Sequence, residues 1–214
     1  MDPLKREKYF ATTDAVVFTV LSGELKILLI KRKYPPFQGK FALPGGFVLP
    51  NENLEEGVAR ELEEETSVKN IFLEQIGAYG DVKRDPRGRV ITTAFLALIN
   101  SDKVKLHAST DAELAKWHDI NDLPELAFDH DKIIADGLKK LRHDIENTAV
   151  AFQIMPEKFT LTDLQTTYEA ILGEKLDKRN FRKKMREDKV LKELSETRML
   201  GAHRPARLFS FKKK

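Results

Sequence analysis

Apolar and β-branched residues dominate Asp14 to Leu21 and again Lys26 to Arg32, with Ser22 and Gly23 between them, a pattern that predicts a β-hairpin. Pro35, Pro36 and Gly39 interrupt any regular element, and Phe41 to Gly46 then leads into a strand that turns at Pro50 and Asn51. The period changes next. Leu54, Val58 and Leu62 recur every four residues, giving a helix one apolar face, and Asn53 with Glu56 three positions on has the capping-box arrangement. Ile71 to Tyr79 and Val90 to Ile99 read as strands around a polar loop that carries Lys83, Arg84, Arg87 and Arg89. Glu113 to Ile120 reads as another strand, and Asp131 to Ile145 as a helix whose apolar face holds Ile133, Ile134, Leu138, Leu141 and Ile145.

A domain boundary near the end of that helix divides the chain into units 1–145 and 146–214. In the second unit a helix starts at a Thr or Asp cap near Thr160, carries the stripe Leu164, Tyr168, Ile171 and Leu172, and ends at Gly173. Asp177 caps a second helix, Lys178 to Arg186, in which Phe181 and Met185 face inward and every other side chain is basic or polar. Thr197 to Phe211 then alternates like two short strands around a loop with Gly201 and Pro205. Helix, turn, basic helix and hairpin in this order is the arrangement of a winged helix-turn-helix.

At 214 residues there is room for two units that each bury a core, and 41% hydrophobic with 33% charged residues suits a soluble protein. No apolar run approaches the roughly 20 residues that span a bilayer, and the amino terminus lacks the apolar stretch of a secretory signal, so a cytoplasmic protein without membrane contact is expected. The absence of cysteine excludes disulfides, thiolate chemistry and every cysteine-containing zinc pattern. The net charge of +3 hides an asymmetry: residues 1–142 carry −2, the remainder +5, and residues 175–214 alone carry 15 basic against 5 acidic side chains. That concentration suggests a polyanionic partner, with a solubilising surface as the plainer alternative.

The candidate chemistry lies on the first helix. Glu61, Glu64 and Glu65, spaced three and four apart, project from one side of it. Such a cluster of hard oxygen ligands facing Gly45 and Gly46 suits Mg²⁺ or Mn²⁺, with a substrate pyrophosphate completing the coordination sphere; the metal would neutralise phosphate charge and activate water. From Gly46 through Glu52 to Arg60, Glu61, Glu64 and Glu65 the spacing resembles the Nudix box, with Ser67 where the family pattern has glycine and Asn51 replacing the glycine common before Glu52. Ser67 falls at the helix end, where positive φ is expected, and Asn51 is of a type that tolerates the left-handed region. The resemblance implies metal ligation by the Gly46 carbonyl and Glu61, Glu64 and Glu65, with Arg60 orienting the acids.

Residues 84–89 look like the corresponding segment of ADP-ribose pyrophosphatases and their non-catalytic relatives. That likeness makes Arg84, Arg87 and Arg89, together with Arg32, candidate phosphate contacts, against the plainer reading of surface turn residues. Phe128, Asp129 and His130 also recur in such proteins, and His130 reads as a packing or capping residue. The second unit, with Phe159 to Gln165, Leu176 to Lys184 and Gly201 to Ala206, resembles the winged-helix half of NrtR-type Nudix-related regulators. The fold expected is α+β: a Nudix α/β/α sandwich with a mixed sheet, then a winged helix-turn-helix. Lys178, Arg179, Arg182, Lys183 and Arg186 are the candidate DNA contacts on the basic helix. His203, Arg204 and Arg207 are those at the wing.

The resemblance implies a homodimer on palindromic double-stranded DNA, a repressor whose Nudix domain senses ADP-ribose or a related metabolite. The alternative is a Mg²⁺-dependent ADP-ribose pyrophosphatase whose basic unit is accessory.

Overall fold

In the computed structural model, the described residues are 8–67, 69, 71–100, 112–145, 148–187, 190–199 and 205–212. Strands β1 (Phe10–Leu21) and β2 (Glu24–Arg32) form the expected hairpin, and β3 (Phe41–Ala42), β4 (Gly45–Phe47), β5 (Phe72–Tyr79), β6 (Val90–Leu98) and β7 (Ala112–Asp119) complete a seven-stranded sheet. Its order is β3-β2-β1-β6-β5, with β4 on β1 and β7 on β2; β1 and β6 run parallel and the other pairings are antiparallel. The sheet is therefore mixed, as expected.

Alternation along β1 decides the layers, because successive side chains of a strand point to opposite faces. Ala15 and Val17, with Leu28, Phe95 and Ala97, meet Val58 and Leu62 of helix α1 (Leu54–Thr66). Val16 and Phe18, with Ile27, Leu29 and Leu96, meet Ile133, Ile134 and Leu141 of helix α2 (His130–Asp144) on the other side. Helix α2 lies so close that a Cβ on Gly137 would come within 2.9 Å of Val16, so glycine sets how tightly that layer closes. Asn53 and Glu56 form the capping box of α1, and its carboxyl end turns at Ser67 with φ 63°, the left-handed position where the Nudix pattern puts glycine. Asn51, by contrast, is not among the residues with positive φ; the turn there closes with Glu52 N–H donating to Leu49 O and Leu49 N–H to the Glu52 carboxylate.

The second unit holds helices α3 (Thr148–Ile154), α4 (Leu161–Leu172) and α5 (Lys178–Glu187) and strands β8 (Leu191–Arg198) and β9 (Ala206–Phe211). Thr160 and Asp163 make a capping box on α4, Gly173 ends it in the left-handed region, and Asp177 caps α5 through the Asn180 N–H. Tyr168 meets Phe181 edge to face, with Met185 beside them, and Phe159 pairs through its backbone with Phe209.

Three features depart from expectation. Strand β8 begins at Leu191, six residues before the alternation suggested, because its exposed polar side chains hide the pattern. Helix α3 had no signal, yet Val150, Ala151 and Ile154 are buried. The two units also do not bury separate cores: Leu164, Tyr168 and Ile171 of α4 belong to the same apolar cluster as Val16, Phe18 and Ile27 of the sheet. Arg142 near the end of α2 donates to the Ile171 carbonyl (2.9 Å), tying the units together. Among the described residues no helix is long and apolar enough to cross a membrane.

Candidate ligand cleft and nucleic-acid face

The edge of the sheet at the carboxyl end of β2 and the start of β1 opens into a cleft of about 90 Å³, lined by Asp14, Arg32, Gly45, Gly46, Phe47, Arg84, Asp85, Arg87, Phe128 and His130. Helix α1 borders it. Arg60 binds both oxygens of Glu52 (2.8 and 2.9 Å), and also reaches Glu61 (2.8 Å), Glu64 (3.2 Å) and the Phe47 carbonyl (3.1 Å). This clamp holds the Glu52 carboxyl down at about 2, first through the hydrogen bond from Arg60. Glu61 lies against the backbone of Gly46, where a Cβ would collide with its carboxylate, so a larger residue there would push that side chain aside.

Glu65 is buried, and its carboxylate accepts from the Gly45 N–H (2.9 Å). Burial, then the charges of Glu61 and Asp14, push its pKa up to about 8, and burial likewise raises that of Glu61. For a divalent cation these donors are right in kind, since carboxylate and carbonyl oxygens are hard ligands and a cation would reverse both shifts. They are not gathered in this arrangement: among the described residues no three acidic or imidazole side chains stand close enough together to hold a metal ion. The reason is Arg60, which spans Glu61 and Glu64, while Glu65 turns to the Gly45 backbone.

The four arginines proposed for phosphate have four different settings. Arg84 is buried and makes a bidentate pair with Asp129, its Nη2 at 2.8 Å, and lies 3.8 Å from Asp14. Arg89 donates to the carbonyls of Gly80 and Asp81, faces Tyr9 and is not among the lining residues; it pins the loop. Arg87 lines the cleft, paired in fork fashion with the buried Asp85 (3.0 and 2.7 Å). Arg32 also lines it, partly buried, donating to the Pro36 carbonyl (2.8 Å), and it has no carboxylate within ion-pair distance among the described residues. Burial and the neighbouring Arg87 lower its proton affinity.

Beneath them His130 Nδ1 accepts from the Leu43 N–H (2.9 Å), which requires that nitrogen to be unprotonated, and burial lowers the pKa of the ring. Its Nε2 lies 3.6 Å from Asp14, whose other oxygen accepts from Thr92 (2.6 Å). His130 thus packs and orients, as its neighbourhood in sequence suggested. Asp14, Asp85, Phe47 and Phe128 were not foreseen as cleft residues. Asp85, next to Arg84, and Phe128, in the run that ends at His130, had a signal.

The basic face is built differently. Phe181 and Met185 anchor α5, leaving Lys178, Arg179, Lys183 and Arg186 exposed, and none of these four has a carboxylate partner among the described residues. Arg182 is partly buried beside Thr162. Arg182, Arg186 and Arg207 border a groove of about 350 Å³ between α4, α5 and β9, with Arg207 paired to Glu193 (2.8 Å). His203 and Arg204 lie outside the described residues.

Comparison with known proteins matches both halves. A model described as the NUDIX domain covers residues 11–137, and one described as the NrtR DNA-binding winged helix domain covers residues 151–211. The chain is 38% identical over 204 residues to the ADPR responsive transcriptional repressor NtrR of Acinetobacter baylyi, spanning 94% of this chain and 81% of that protein. It is 43% identical over 136 residues to an ADP-ribose pyrophosphatase of Methanocaldococcus jannaschii, spanning 64% of this chain and 79% of that protein. Among solved structures, Shewanella oneidensis NrtR complexed with a 27mer DNA superposes with a TM-score of 0.81 at 32% identity, covering 94% of this chain and 93% of that one.

Proposed function

The chain belongs to the Nudix family and to the NrtR group within it, in which a winged-helix domain follows, and from that premise we propose that it is a cytoplasmic DNA-binding transcriptional repressor whose Nudix domain senses ADP-ribose. The observation that carries this reading is the contrast in how charge is held. The five exposed cations on α5, Lys178, Arg179, Lys183, Lys184 and Arg186, have no acidic partner among the described residues, whereas the cleft arginines are paired except for Arg32.

The units, 1–145 for sensing and 146–214 for DNA, are the division we adopt. Lys178, Arg179, Lys183 and Arg186 would meet phosphates or base edges as α5 enters a major groove. Arg182 and Arg207 would contribute from the groove beside it. His203 and Arg204 would extend the wing along the backbone. One chain presents one such helix, so a palindromic operator requires a homodimer.

In the cleft, Arg32, with no carboxylate at ion-pair distance among the described residues, would supply one cation for a diphosphate and Arg87 a second, fork-shaped donor surface. An enclosed volume of about 90 Å³ falls below the roughly 300 Å³ usual for a site that swallows a whole drug-sized ligand. The charged middle of the ligand would lie inside, with its ends on the rim.

The acidic helix favours a second reading, residual hydrolysis. Glu61, Glu64, Glu65 and the Gly46 carbonyl would hold Mg²⁺ or Mn²⁺, which supplies phosphate neutralisation and water activation when bound. Arg60 would then be released from Glu61 and Glu64 while keeping Glu52. Glu64→Gln should abolish any release of AMP from ADP-ribose; turnover undiminished in that variant removes the acidic helix from the reaction.

Titrating the full-length protein onto a palindromic fragment from its own genomic neighbourhood, by fluorescence anisotropy with and without ADP-ribose, tests the principal reading. Sequence-selective binding that ADP-ribose alters is the expected result. Weak binding indifferent to sequence and ligand overturns it in favour of the hydrolase.

A further inference from the structure

One wall of the cleft is an alternating column of rings and guanidiniums. Arg87 lies 4.9 Å from the centroid of Phe47 and 5.7 Å from that of Phe128, and Arg32 lies 4.9 Å from the centroid of Phe128. The Phe128 ring thus serves two cations. It is itself held between Phe37, at 4.9 Å and steeply inclined, and His130, at 5.2 Å. We propose that Phe128 is a positioning residue, its ring fixing the Arg32 and Arg87 guanidiniums at the spacing with which they grip a diphosphate. This rests on the reading of the cleft as an ADP-ribose site.

Two independent observations carry the assignment. The first is electrostatic. Arg32 and Arg87 repel each other within one small cleft, Asp85 pairs with Arg87, and among the described residues no carboxylate stands at ion-pair distance from Arg32, Glu65, Asp85 and Asp14 acting on it only from further off. An aromatic face attracts a guanidinium through its quadrupole, so a ring bordering both opposes their mutual repulsion without neutralising either, which keeps the positive field for the ligand.

The second is conformational. Phe128 has φ 56° and Phe37, the ring it touches, has φ 59°. Bulky residues avoid this region, where glycine or asparagine is at ease. A strained backbone persists only where the surroundings over-determine it, and such strain gathers at ligand clamps. The bland account, that Phe128 only covers the small cluster of Ile30, Ala42 and Ala127, explains a large apolar side chain but not an aromatic one under two guanidiniums.

The backbone makes the two accounts separable. Phe128→Gly relieves the positive φ while deleting the ring, Phe128→Leu keeps apolar bulk without a π face, and Phe128→Tyr keeps the ring. Calorimetric titration of the full-length variants with ADP-ribose should show Phe128→Tyr within about threefold of wild type and the other two weakened about tenfold or more, compared at a temperature where each variant is folded. Side-chain NMR of the free proteins gives a readout that needs no ligand: the Arg32 and Arg87 Nε–H signals, displaced by the ring current of Phe128, should move in both ring-less variants and stay in Phe128→Tyr. Affinity within twofold of wild type in a folded ring-less variant overturns the proposal, as do unmoved arginine signals. Wild type that ignores ADP-ribose while its arginine signals still depend on the ring overturns the ADP-ribose reading and supports the placement of the guanidiniums by Phe128.

Discussion

The acidic helix and the basic helix are both dense in charge, yet on α1 the acids facing the cleft are tied to partners within the molecule, and on α5 the cations are not. On α1, Arg60 alone binds Glu52, Glu61 and Glu64, and across the cleft Arg84 and Arg87 are locked to Asp129 and Asp85. On α5 the apolar pair Phe181 and Met185 faces the core, and Lys178, Arg179, Lys183 and Arg186 face water with no acidic partner among the described residues. Internal pairing builds a shaped site for one small ligand, because it fixes geometry and leaves net charge only where it is needed. Unpaired, exposed charge suits a polymer whose own counterions are released on contact.

The comparison breaks hardest at α5. Lys183→Ala with Arg186→Ala should weaken operator binding on the order of 100-fold near physiological salt and flatten the log–log salt slope by about 2, since each phosphate contact contributes roughly 0.9. Calorimetry should find their ADP-ribose affinity unchanged. An unaltered salt slope would remove these side chains from the phosphate backbone.

Next comes Arg32, the cleft arginine with no carboxylate at ion-pair distance among the described residues. Arg32→Gln should cost about thirtyfold in ADP-ribose affinity, the range of a lost charge-assisted hydrogen bond, while DNA affinity in the absence of ligand stays as it was. Equal affinity in the variant would mean that the paired arginines carry the diphosphate. The two regions meet through α2, whose first residue, His130, lies in the cleft floor and whose Arg142 holds the end of α4. Arg142→Ala should therefore leave each separate affinity within about threefold and cut the effect of ADP-ribose on DNA binding to below about twofold, where couplings usually run from about 5-fold upward. Anisotropy with and without ligand reads this directly, and a coupling as large as in wild type would exclude the Arg142 contact.

What could be read from the sequence follows the same division. The hairpin, the capped helix from Asn53, the caps at Thr160 and Asp177 and the inward pair on α5 are local, written in residues three or four apart. Tertiary partners are not: nothing near Arg84 names Asp129, 45 positions away, as its counter-ion, so the sequence did not show that this cleft-lining side chain is buried and paired. The packing of α4 onto the first sheet was hidden for the same reason, since an apolar stripe does not say which surface it will cover. Helix α3 is too short to display a period, and β8 alternates poorly because Lys192, Glu193 and Glu196 are all exposed. Ser67 was legible because a helix end asks for positive φ whatever residue stands there.

The smallest expected effect tests whether the pairing around α1 is complete. Of Glu61, Glu64 and Glu65, the last is the one that Arg60 does not reach, and its pKa of about 8 in the folded protein stands above the 4.5 of a free carboxyl. The folded state therefore binds more protons than the unfolded chain between about pH 4.5 and 8, and stability must fall as pH rises through that window. Glu65→Gln removes the titration yet leaves an amide oxygen to accept from the Gly45 N–H. At pH 8 the variant should melt at least about 3 °C above wild type, the difference shrinking toward pH 4.5, as one to two kcal/mol would give in a protein of this size. Millimolar Mg²⁺ at pH 8 should raise the Tm of wild type more than that of the variant, because a ligand that binds only the folded state stabilises it. A variant no more stable than wild type at pH 8 would show that Glu65 is already compensated in the folded protein, and α1 would then be as fully paired as the arginine side of the cleft.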